Sequence, residues 1–311
     1  LAAGLAAAVA GAALAVAVAL HAGTPPGELA VAAGAAVLGG LVLVPVLTAI
    51  VLPLVEGLLG YVTDARLRRL ANLNHPGLKE LIVQAPGTYH HAIVMGALVE
   101  PAARAIGADA LLARVGAYYH DIGKIKNPLL FSENQRGPNE HDDLTPGMSA
   151  LIVRRHVADG LEVARAWRLP RSVSELIAQH HGTRLVGYFW AKQQKAAEAG
   201  GPAADEAVFR YPGPLPRSRE AALVMIADAC EASSRALHAP TPEQLRALVD
   251  KRIAEIAEEG QLEECDLTLR DLSAVAAAMV GALEGIYHTH AAPPPGRPPE
   301  GRPPVQLVGR P

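Results

Sequence analysis

The chain has 311 residues, room for one or two domains, a formal net charge of −3, and half its residues hydrophobic but only 4% aromatic. No dense Lys/Arg stripe with interleaved aromatics occurs, which argues against a nucleic-acid polymer as partner. Cys230 and Cys265 form no CxxC pair, so a disulfide framework is not expected and a reducing compartment fits.

Leu1 to Leu20 is an uncharged apolar run of the length a helix needs to cross a bilayer core. The chain begins at Leu, inside this run, which points to a piece of a longer protein; the basic n-region of a signal peptide is missing. His21 to Glu28 is a Gly/Pro-rich turn. A second apolar stretch, Leu29 to Val62, is interrupted by Pro45 and Pro53. It reads as a tilted or kinked helix continuing out of the membrane, with two short re-entrant pieces as the alternative. Residues 1–60 carry only Glu28 and Glu56 as charged side chains, and Arg66, Arg68, Arg69 and Lys79 follow. By the positive-inside rule that end is cytoplasmic.

From Leu78 to Thr289 the apolar periodicity is helical, in segments at 88–106, 109–122, 144–158, 159–168, 171–181, 218–237, 242–259 and 268–290. Gly107, Gly123, Gly160 and Gly182 stand where helices should stop. Thr241-Pro242 reads as an N-cap with Pro at the first helical position. Residues 191–217 read as an insertion between core helices. The expected organisation is therefore all-α: 1–62 the end of a transmembrane region, 63–77 a juxtamembrane linker, 78–290 a cytoplasmic helical bundle, and 291–311 a disordered Pro-rich tail.

Within the bundle lies an ordered series of metal-ligand side chains: His91, His120-Asp121, His156, His180-His181 and Asp228. Five imidazoles and two carboxylates suffice for two metal ions. Imidazole with carboxylate suits Fe, Mn or Zn, and a two-metal centre binds phosphate and generates hydroxide near neutral pH. His120-Asp121 closes an apolar helix, where adjacent side chains point about 100° apart, so that the two can face different metals. His180-His181 closes another helix. Asp228 sits in an apolar helical stretch, between Ala227 and Ala229, and a buried carboxylate needs a partner. The series points to phosphoester hydrolysis. No GxxxxGK[ST] loop supports an ATPase or kinase.

These residues resemble the HD-domain metal-dependent phosphohydrolases. The strings APGTYHH (85–91), AYYHDIGK (117–124), QHHGT (179–183), FRYPGP (209–214) and ADACEA (227–232) resemble, more narrowly, the seven-transmembrane HD family. Those are bacterial membrane proteins that hydrolyse cyclic di-AMP to the linear dinucleotide. The resemblance spans roughly residues 30–290 and implies a multi-pass plasma-membrane protein whose preceding part lies outside this sequence. It implies that His91, His120, Asp121 and Asp228 hold one metal, and that His156, His180 and His181 hold the other, with Asp121 bridging. Mn and Fe are the metals expected, with Zn as a third choice.

The implied reaction is attack of a metal-bridging hydroxide on phosphorus, with Lys124 neutralising the scissile phosphate. His141, Asp142, Tyr119 and Tyr211 are candidate substrate contacts; His141 and Asp142 are equally candidates for organising a lid or lying in a plain polar loop. Ala92 replaces the family's usual Ser, and Pro101 interrupts the first helix. Membrane spans and an amphipathic helix at 268–290 make a homodimer an expected assembly. The rival activities are an HD phosphodiesterase for cyclic di-GMP, an HD hydrolase of another nucleotide, and a catalytically silent HD receptor. The usual cyclic di-GMP string after the paired His is replaced here by Gly-Thr-Arg-Leu.

Overall fold

The computed structural model describes residues 2–23, 25–59, 61–135, 137–203 and 205–290. The expected tail, 291–311, lies outside the described residues. The described residues are helical, and their only β pairing is an isolated antiparallel bridge between Leu185 and Arg210. The expectation of an all-α fold is met.

Three apolar helices come first: α1 (Ala2–His21), α2 (Pro26–Leu38) and α3 (Val44–Leu59), the last two joined by a π-helical turn, Gly39–Leu43. Pro45 has no amide proton to give the preceding turn, and the wider π turn just before it absorbs that missing bond. Among the described residues one helix, Pro26–Val51, is long and apolar enough to cross a membrane, with mean hydropathy 2.4 and none of its most apolar window buried. Val9–His21 is a shorter apolar helix. The expectation of two spans is thus met by one candidate.

Ten helices follow: α4 (Asp64–Leu70), α5 (Pro76–Gln84), α6 (Pro86–Ala105), α7 (Ala110–Tyr119), α8 (Pro146–Ala166), α9 (Arg171–Gln179), α10 (Gly187–Glu198), α11 (Arg219–Ser234), α12 (Pro242–Glu258) and α13 (Leu269–His290). Several of their starts carry side-chain caps that satisfy otherwise orphan amides. Asp109 accepts from Leu111 and Leu112, Ser218 from Ala221, and Thr241 with Gln244 forms a reciprocal capping box. The N-cap expected at Thr241 is there.

Two apolar clusters make the core. One joins α6, α7, α11, α12 and α13 through Met95, Leu98, Met225, Ile226, Val249 and Met279. The other joins α4 to α7 and α9 through Leu67, Leu78, Leu81, Tyr119, Ile122 and Ile177. Helix α11 is buried almost all round from Ala221 to Ala227, as a central helix must be. The candidate site lies where the ends of α7 and α9 meet the middles of α6, α8 and α11.

Two expected helix stops fall elsewhere. Residues 144–158 and 159–168 form the single helix α8, which runs through Gly160. Gly123 lies in a 3-10 turn, Ile122–Lys126, that follows α7. The two glycines face each other: a Cβ on Gly123 would stand 1.9 Å from the His156 carbonyl oxygen and 2.4 Å from the Gly160 nitrogen. Close packing explains them, and this contact brings Asp121 against α8. Gly107 and Gly182 do end helices, at φ +68° and +50°.

Candidate metal centre

Four imidazoles turn their Nε2 atoms inward, because each Nδ1 is engaged from behind. His120, His156 and His180 donate Nδ1–H to carbonyls three residues earlier on their own chain, Ala117 (2.8 Å), Val153 (2.5 Å) and Ile177 (2.7 Å). His91 instead meets the Glu231 carboxylate, Nδ1 to Oε2, at 2.9 Å. With Nδ1 protonated, His120, His156 and His180 each present a lone pair at Nε2, and His91 does so where a cation takes the place of its Nε2 proton.

Those lone pairs converge. His91 and His120 bring their Nε2 atoms to 3.3 Å, and His156 and His180 bring theirs to 3.1 Å. Asp121 lies between the two pairs, with 3% of its side chain exposed. Its Oδ2 is 3.2 Å from His120 and 3.7 Å from His91; its Oδ1 is 3.2 Å from His156 and 3.6 Å from His180. Oδ1 is buried and accepts no hydrogen bond. Lone pairs facing each other at 3.1 Å beside an orphaned carboxylate oxygen require positive charge between them. The donor set therefore fits divalent cations, and two groups form around the shared Asp121: His91 with His120, and His156 with His180 and His181.

Asp228 closes the first group, 3.3 Å from His91 Nε2 and 3.8 Å from His181 Nδ1. Burial opposes its charge, but His91 and His181 hold its carboxyl well below the usual range. Burial also opposes protonation of His91, yet Asp228 and Glu231 outweigh it and raise that imidazole to about 9. His180 is pushed down to about 4, chiefly by burial. The seven residues expected to ligate are thus brought together.

Lys124 Nζ lies 2.7 Å from Asp121 Oδ2 and 2.8 Å from Glu133 Oε1, with the Phe131 ring centroid at 5.0 Å. Burial penalises the ammonium, but these two carboxylates keep it protonated. Tyr211 stacks on His181, centroids 4.2 Å apart at 25°. The backbone fixes it there: Tyr211 N donates to Arg184 O (3.0 Å), and Val186 N to Phe209 O (2.8 Å). The stretch expected as an insertion so covers one side of the site. It also contributes most of α10, which had not been expected as a helix; Phe189 of α10 and Phe209 of the following 3-10 turn pack with Ala150 of α8.

Three candidate substrate contacts lie elsewhere. Tyr119 is fully buried in the core, and its hydroxyl donates to the Leu70 carbonyl at 3.1 Å. His141 is buried, donates Nε2–H to the Leu130 carbonyl (2.8 Å) and packs on Phe189, so it anchors its loop. Asp142 is exposed on that loop.

Sequence reasoning missed Glu231, Glu133 and Arg235. Glu231 lies one turn beyond Asp228 on the same face of α11, so helical spacing from the ligand would have found it. Arg235, one turn further, pairs with Glu231 at 2.7 Å. Glu133 lies in a short 3-10 turn, Ser132–Asn134, and carried no such signal. It meets Lys124 and the Thr88 hydroxyl (3.2 Å), while Asn134 accepts from the Gly87 and Thr88 amides that open α6.

The HD domain family matches residues 88–233. Over 239 residues, 76% of this chain, it is 43% identical to a cyclic-di-AMP phosphodiesterase, PgpH, of Bacillus subtilis and 41% identical to PgpH of Listeria monocytogenes. Over 245 residues it is 40% identical to an uncharacterised protein of Synechocystis. The match covers about a third of each of these relatives, 33%, 33% and 30%. Crystal structures of the L. monocytogenes PgpH HD domain, one of them in complex with cyclic di-AMP, superpose with TM-score 0.65 at 40% identity. They cover 69% and 70% of this chain and 100% of theirs.

Proposed function

The chain belongs to the HD-domain family, and on that premise we propose that it is a two-metal phosphodiesterase that hydrolyses cyclic di-AMP to linear pApA. The observation that carries this reading is Asp121, one buried carboxylate presenting each oxygen to a different pair of imidazoles. His91, His120 and Asp228 would hold one Mn or Fe ion, and His156, His180 and His181 the other, with Asp121 shared. A pair of such ions lowers the pKa of a bound water and withdraws charge from phosphate oxygens.

The chain's own residues supply the rest. Lys124, fixed between Asp121 and Glu133, places an ammonium where negative charge grows on the phosphoryl group. Tyr211 shields the His181 side from solvent. A water oxygen forms the new bond to phosphorus, the bond to the 3′ oxygen breaks, and that oxygen takes a proton. The step from the apolar N-terminal helices to Arg66, Arg68 and Arg69 supports a membrane-anchored protein with 78–290 on the cytoplasmic face.

The test is product analysis on the chain purified in detergent, with cyclic di-AMP and cyclic di-GMP side by side, in Mn and in Fe. Linear pApA is expected from the first substrate. A protein that holds two metals yet cleaves neither dinucleotide refutes the reading, and preference for cyclic di-GMP refutes the substrate. Asp121→Ala should lose both metals.

A further inference from the structure

A cleft of about 330 Å³ opens beside the metal centre, between the start of α6, the end of α11 and the last turns of α13. Two of its walls are also partners of the site: Glu231 holds His91 at 2.9 Å and Glu133 holds Lys124 at 2.8 Å. The cleft therefore lies one side chain away from the place where a phosphate would react. Its volume is at the low end for small-molecule sites.

The lining has two kinds of surface. Val94, Leu283 and Ile286 give apolar walls. His90 and Arg235 give flat faces able to stack on a base, and Arg235 is 44% exposed although its pairing with Glu231 fixes it. The two side-chain donors to Glu133, the Thr88 hydroxyl and the Lys124 ammonium, both meet Oε1, so no side chain occupies Oε2. A free carboxylate oxygen accepts from an exocyclic amine. None of these residues is among the expected metal ligands, and His90 is exposed.

We propose that this cleft binds the nucleoside on the far side of the scissile phosphate, a purine stacked between His90 and Arg235 with its amine toward Glu133. The proposal rests on the cyclic dinucleotide reading. A mononucleotide can fill the metal centre or the cleft but not both, whereas a dinucleotide spans them. The cleft would then give the selectivity for two-base substrates.

The experiment compares cyclic di-AMP with 5′-AMP, measuring binding to the metal-loaded full chain in detergent. Wild type should favour the dinucleotide by about tenfold or more, the worth of one stacked base. Ile286→Trp fills the cleft and should bring that ratio to about one. His90→Ala removes an exposed ring without touching the core and should lower the ratio by several-fold. Circular dichroism and metal content show that each variant is folded and loaded. A ratio unchanged in His90→Ala and in folded Ile286→Trp overturns the cleft assignment, as does a wild type that binds 5′-AMP as tightly as the dinucleotide. If wild type cleaves cyclic di-AMP while the variants keep the ratio, only the cleft assignment fails. If wild type cleaves no cyclic dinucleotide, the functional reading fails first.

Discussion

Gly123→Ala should damage this protein more than its size suggests. The added Cβ would meet the His156 carbonyl oxygen at 1.9 Å, the Gly160 nitrogen at 2.4 Å and the Gly160 Cα at 2.9 Å. All three are backbone atoms that no rotamer change can move. Ordinary contact begins near 3.4 Å, so the 3-10 turn and α8 must separate by about 1.5 Å, the difference between 3.4 and 1.9 Å. Overpacking of this kind costs about 1–3 kcal/mol. In a domain of roughly 200 residues that is a fall in Tm of about 2–12 °C.

The larger effect is local. Asp121 precedes the turn and His156 lies on α8, so separating the two pulls Asp121 Oδ1 away from His156. Misplacement by about 1 Å costs on the order of 10²-fold in rate. Gly160→Ala is the control. Its Cβ meets the Ile177 Cγ2 methyl at 3.0 Å and backbone only from 3.4 Å, so a shift of a few tenths of an ångström (about 0.4 Å) relieves it. Alanine also gains about 1 kcal/mol in helix propensity. Gly160→Ala should stay within about 1 kcal/mol of wild type. Thermal unfolding, metal per chain by mass spectrometry and turnover decide between them. Wild-type Tm and metal content in Gly123→Ala, or greater damage from Gly160→Ala, would refute the close-packing account.

Glu231→Gln removes the anion behind His91 and should weaken one of two metal-binding phases by about 10–100-fold, read by chelator competition; two unchanged phases would count against it. Stripping metal with a chelator should lower Tm, because ions that bind only the folded state stabilise it by mass action; an unchanged Tm would deny a bound metal in the starting protein. Burial raises the Cys230 thiol to about 12 and Cys265 to about 11. The unfolded chain releases these protons first, from about pH 9, so stability should fall as pH rises from there toward 12. At pH 8 a thiol reagent should label the folded chain far more slowly than the unfolded one; equal rates would contradict the burial.

Much of the site was legible because metal ligands are few in kind and their order survives folding. His120-Asp121 and His180-His181 do sit at helix ends, although α7 and α9 close at Tyr119 and Gln179, short of the expected 122 and 181. What sequence could not separate is glycine as a stop from glycine as a contact. Gly182 and Gly160 look alike in one dimension; only the approach of the 3-10 turn to α8 distinguishes them. Tyr119 shows the same limit. Its neighbour His120 faces the cluster, but a helix turns successive side chains about 100° apart, and that rotation sends Tyr119 into the core. Among the described residues the second apolar segment supplies one candidate span, Pro26–Val51, whereas the first supplies only a shorter apolar helix, Val9–His21.

The histidines are not held alike, and this bears on how the centre withstands mutation. Three of the four inward imidazoles are oriented by carbonyls of their own backbone. No substitution at another side chain can delete a carbonyl, so those three orientations are inherited with the helices themselves. His91 alone depends on side chains, Glu231 and Arg235, encoded 140 and 144 residues away. Genetic drift can therefore detune the His91 side of the cluster by a single codon change while leaving the His156 and His180 side intact. If the two ions come to differ in affinity or kind between relatives, residue 231 is where that divergence has its cheapest route.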